Sequence, residues 1–68
     1  MRIVEAKRLV NSTNGNPRFR ITFDTGEVAQ TKPDASCSYE VENFLRSGAE
    51  VEVTRTRAGK IRTIKEVK

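Results

Sequence analysis

From Arg18 to Phe23 the chain alternates without a break. Phe19, Ile21 and Phe23 fall on one side of an extended strand, and Arg18, Arg20 and Thr22 fall on the other. A period of two marks a strand that buries one face and wets the other. The rest of the chain must therefore supply an apolar surface for that face. Asp24-Thr25-Gly26 is a short hairpin loop, and Glu27 to Thr31 returns as the next strand. Lys32-Pro33-Asp34 then ends the sheet, because proline has no N–H to donate to the ladder. Upstream, Arg2 to Val10 reads as the first strand, although Ile3 and Val4 point oppositely in a regular one. A bulge, or burial on both faces, resolves that conflict. Asn11 to Pro17 is dense in residues that accept turn dihedrals and forms the intervening loop.

Ser38 to Arg46 carries helical signals. Val41, Phe44 and Leu45 share a face at i, i+3, i+4 spacing. Asp34, Ser36 and Ser38 are candidate N-caps, Glu40 and Glu42 suit the positive end of the helix dipole, and Arg46 suits its last turn. Gly48 fits the left-handed residue that ends a helix. Glu50 to Thr56 and Lys60 to Val67 complete the strands. The order is β-β-β-α-β-β, which predicts a mainly β domain with one helix. The expected fold is a small five-stranded antiparallel barrel, OB-like or SH3-like. A β-grasp arrangement, with Glu27 to Thr31 demoted to loop, is the alternative.

The 68 residues make one domain. Chains of about this size usually need a disulfide, a metal or a partner subunit. Cys37 is the one cysteine and histidine is absent, so no intrachain disulfide forms and most zinc chemistry is removed. That leaves unusually regular packing or a homodimer, and no cofactor is expected. No apolar run approaches the roughly 20 residues that cross a bilayer, so no membrane partner is expected. A lone thiol without an export signal points to the cytoplasm.

Function has to be sought in charge. Thirteen Lys and Arg against nine Asp and Glu leave a formal +4. Arg55, Arg57, Lys60 and Arg62 crowd the turn at Ala58-Gly59, with no acid between Glu52 and Glu66. A cationic hairpin on a small β domain is suited to gripping polyanions, nucleic acid first among them. A two-residue loop would set Arg57 opposite Lys60 and Arg55 opposite Arg62. A type I turn with Gly59 in a G1 bulge would instead oppose Thr56 to Lys60 and divide the cations between both faces. On an OB-type barrel, Arg18 and Arg20 would share the oligonucleotide face with this hairpin. Asn11, Asn14 and Asn16 in the first loop would add donors for phosphates or base edges.

Stacking groups are scarce, so phosphate backbones or duplexes are expected to bind better than splayed bases. Phe19, Phe23 and Phe44 belong to apolar faces, which leaves Tyr39 as the exposed aromatic. Asp24 and Asp34 have no partner acid and read as turn and cap residues. Cys37 stands where a helix dipole lowers a thiol's pKa, but with no base nearby it reads as a small core residue. No catalytic constellation is present, and the chain is read as a binder and not an enzyme.

The run Asn14-Gly15-Asn16-Pro17-Arg18-Phe19, then Phe23-Asp24-Thr25-Gly26 and later Val51-Glu52-Val53-Thr54 with Arg57-Ala58-Gly59-Lys60-Ile61, resembles small uncharacterised proteins of actinobacterial phages. The resemblance brings no catalytic residues. It implies a protein made inside an infected bacterium, and a host or phage protein as the rival partner. An exposed edge strand, or the helix with Tyr39, Glu40 and Glu42, would be the surface for such docking.

Overall fold

The computed structural model describes residues 1–67. It contains five strands and one α-helix: β1 (Ile3–Leu9), β2 (Arg18–Phe23), β3 (Val28–Gln30), α1 (Val41–Ser47), β4 (Val51–Arg55) and β5 (Ile61–Glu66). β1, β2 and β3 form one antiparallel sheet, and β4 and β5 form a second. Val28–Gln30 is a strand paired with β2, so the shorter order that made it a loop is not the one adopted.

Two bulges explain how irregular apolar spacing still builds a core. Ile3 lies opposite Phe23, but Glu5 lies opposite Thr22, so Val4 is an extra residue and is ejected to solvent. Likewise Thr54 faces Thr63 while Arg55 faces Ile61, which leaves Arg62 as the extra residue of β5. In a regular strand Ile61 and Ile64 would point to opposite faces. The bulge at Arg62 turns both inward, where Ile61 is fully buried and Ile64 nearly so.

The three hairpin tips share one bonding pattern. Gly15 N–H donates to Ser12 O, Gly26 N–H to Phe23 O and Gly59 N–H to Thr56 O, and in each the following residue's carbonyl accepts from the residue that opened the turn. This is the type I turn with a G1 bulge, and it needs a left-handed residue at its fourth position. Gly59 supplies one at φ 83°. The C-terminal hairpin therefore takes the second of the two registers considered, with Thr56 facing Lys60. The like-charge pairs Arg57–Lys60 and Arg55–Arg62 do not form.

The helix is entered through a 3₁₀ turn, Ser36–Tyr39. None of the three expected caps acts as one. Glu40 occupies the N-cap position without a side-chain bond. Ser38 N–H and Glu40 N–H are already satisfied by Ala35 O and Cys37 O inside the 3₁₀ turn, so the helix start needs less capping. Gly48 closes α1 at φ 69°, as its position predicts.

The core is Ile3, Phe19, Ile21, Phe23, Val41, Val51, Ile61 and Ile64, with Phe44 and Leu45 packed at its edge. Its buried hydroxyls are bonded: Thr31 Oγ1 accepts from Phe19 N–H at 3.0 Å, and Ser38 Oγ donates to Ala35 O. Arg8 lies 5.7 Å over the Phe19 ring and shields that end of the sheet. The two sheets are joined at both margins. Thr31 bridges Ile61 in parallel, and Lys32 N–H donates to Ile61 O at 2.8 Å. On the far side Val51 N–H donates to Met1 O at 2.7 Å. Among the described residues, no helix is long and apolar enough to cross a membrane.

Candidate nucleic-acid interface

The strand registers place cations side by side that lie far apart in sequence. On the outward face Lys7 sits opposite Arg20, and Arg20 opposite Gln30. Lys60 extends the row from the hairpin, its Nζ donating to Gln30 Oε1 at 2.9 Å. Because Thr31 and Ile61 are paired with both side chains buried, the residues that follow them, Lys32 and Arg62, emerge together on the exposed side. A second row thus carries Arg18, Lys32 and Arg62.

The six cations singled out from sequence meet different fates. Arg20 and Arg62 are exposed on this face, Lys60 is half-buried at its edge, and Arg57 is exposed at the hairpin tip. Arg55 leaves the group: its guanidinium pairs with Glu27 at 3.0 Å, an exposed contact worth about 0–1 kcal/mol. Arg18 is half-buried, donates to Val10 O at 3.3 Å, and has a shielded Nε with no partner. Lys7, Gln30 and Lys32 carry no such signal in sequence. Only the register shows that Lys7 faces Arg20, and Lys32 reads in sequence as part of the sheet's end.

The asparagines expected to reach phosphates are engaged within the protein. Asn14 Nδ2 and Asn16 Nδ2 donate to Asp34 at 3.0 and 2.7 Å, joined there by Ser12 Oγ. Asn11 Oδ1 accepts from Arg8 at 2.7 Å. Asp34, at φ 63°, is therefore the clamp between the β1–β2 loop and the segment leading to α1. The bonds from Ser12, Asn16 and Asn14, in that order of weight, hold its carboxyl below the ordinary aspartate value of 3.8. The folded value is the lower one, so the clamp contributes fully above pH 3.8 and is lost as pH falls through the depressed value. Thermal unfolding of wild type and Asp34→Ala across acid pH should show the wild type losing more stability below that point. Superimposable profiles would mean the clamp contributes nothing.

Cys37 is buried, and burial pushes its thiol up, opposite to the lowering that a helix dipole would give. Its Sγ lies 3.4 Å from Arg62 O, tying the 3₁₀ turn to β5. The chain matches no family model, no curated protein and no solved structure, so nothing about function is carried over from a relative.

Proposed function

We propose that this chain is a small non-enzymatic module that binds nucleic acid on the outward face of β1, β2, β3 and β5, with the basic hairpin at one end. The observation that carries this reading is the row Lys7, Arg20, Gln30 and Lys60, backed by Lys32 and Arg62, with no acid in either row. Lys7 directly opposite Arg20 is a like-charge cross-strand pair, which costs a few tenths to about 1 kcal/mol. A bound phosphate would remove that cost. Phosphate contacts of this kind give modest, strongly salt-dependent affinity.

The path of the strands supports an OB-like barrel. The β3–β5 bridge and the Met1–Val51 bonds continue the order β1-β2-β3-β5-β4 back toward β1. In such barrels, strands two and three with the loops 1–2 and 4–5 form the usual oligonucleotide surface. The test is a fluorescence-anisotropy titration against single- and double-stranded DNA and RNA, with heparin as a generic polyanion. Binding at physiological salt with a preferred nucleic-acid form supports the reading. Weak binding, equal for every polyanion and lost at physiological salt, would reduce the face to a solubility feature.

One observation favours a second reading, a protein-docking module. Among the described residues, backbone bonds across the outer edge of β4 are confined to Val51, and Val53 and Arg55 make none there. An open edge is a template for strand addition. A peptide partner would lose affinity on Val53→Pro and ignore reversal of Arg20.

A further inference from the structure

The cationic face lacks a stacking ring within its own rows, and Tyr39 is carried on the turn that follows Lys32 in the chain. Phe19 and Phe23 are buried and Phe44 is half-buried, so Tyr39, 60% exposed, is the aromatic ring offered to solvent among the described residues. Exposed does not mean unconstrained here. The Tyr39 hydroxyl donates to Asn16 Oδ1. Asn16 is itself fixed, through Nδ2 to Asp34 and through its backbone N–H to Ser12 Oγ at 3.1 Å. A large ring held by its polar end, with its body left in water, is a pre-organised contact surface. The amides that looked free for phosphates orient this ring instead.

Both supports of the ring lead into the second cationic row. The loop that holds the hydroxyl runs through Pro17 into Arg18. The 3₁₀ turn that carries Tyr39 follows Lys32 and is tied to β5 at Arg62 O. Of the neighbouring acids, Asp34 accepts from three side chains, and Glu40 accepts from Asn43 Nδ2 at 3.2 Å.

We infer that the partner is a single-stranded nucleic acid, one base of which stacks on Tyr39 while adjacent phosphates lie on Lys32 and Arg62. The inference rests on the cationic-face reading and narrows it, because a paired duplex has no free base face to give the ring.

The lone tyrosine, in a chain without tryptophan, makes the test direct. Short oligothymidylate, titrated into the intact protein, is expected to quench the tyrosine emission with the same midpoint as anisotropy reports. Tyr39→Ala, checked for folding by circular dichroism, should weaken oligothymidylate binding about tenfold or more and leave duplex binding unchanged. Tyr39→Phe keeps the ring and should stay within about threefold of wild type. If Tyr39→Ala binds oligothymidylate normally while Arg20→Glu loses it, stacking is wrong and the cationic face stands. If neither substitution alters binding, or nothing binds, the underlying reading fails and the inference fails with it.

Discussion

Reversing Arg20 and Lys60 together to glutamate is expected to weaken nucleic-acid binding about a hundredfold at physiological salt. Two charge-assisted phosphate contacts would be lost, at roughly 1.5 kcal/mol each. For a single strand, the log–log salt slope should fall by about 1.4, since each contact contributes about 0.7. Arg20→Glu alone replaces a repulsive neighbour of Lys7 with an attractive one, so that single variant should be as stable as wild type or more stable by a few tenths to about 1 kcal/mol. Lost binding with gained stability is what a face built for a ligand predicts. Unchanged affinity at every salt would remove the cations from the interface.

Replacing Ile61 with alanine is expected to cost about 2–5 kcal/mol, whereas deleting Arg62 should leave the protein folded. Ile61 is fully buried in the core. Arg62 is the extra residue of the β5 bulge, so its removal brings Ile61, Thr63 and Ile64 to the even spacing of a regular strand and keeps both isoleucines facing the core. A domain of this length has roughly 3–10 kcal/mol in total, so the alanine variant loses a large share of it. Urea unfolding followed by circular dichroism separates the two variants. A deletion variant that is unfolded, or less stable than Ile61→Ala, would mean that Arg62 is not the extra residue of the strand.

The physical origin of each feature decides how far it could be read from sequence. The alternation of Arg18–Phe23 and the left-handed glycines at Gly48 and Gly59 are local, and they fall where the residues predict. The choice of hairpin register was open because Ala58-Gly59 suits two loops, and the packing of Ile61 and Ile64 is consistent with only one. Asp34 looked like a helix cap because its sequence neighbours are helical. Its actual partners, Ser12, Asn14 and Asn16, come from a loop that only the fold brings near. The cationic rows were half legible for the same reason. Outward strand positions show Arg18 and Arg20, but Lys7 and Lys32 join them only through pairing across the sheet. Arg55 was lost to Glu27, a contact between segments that no local pattern connects.

The most direct test is a ¹H–¹⁵N NMR titration of the protein with a short oligonucleotide at physiological salt. The predicted result is that amide shifts cluster on Lys7, Arg20, Gln30, Lys32, Lys60 and Arg62, leaving Glu42 to Arg46 on the helix unmoved. Shifts confined to α1 or to the outer edge of β4, or none at all, would contradict it.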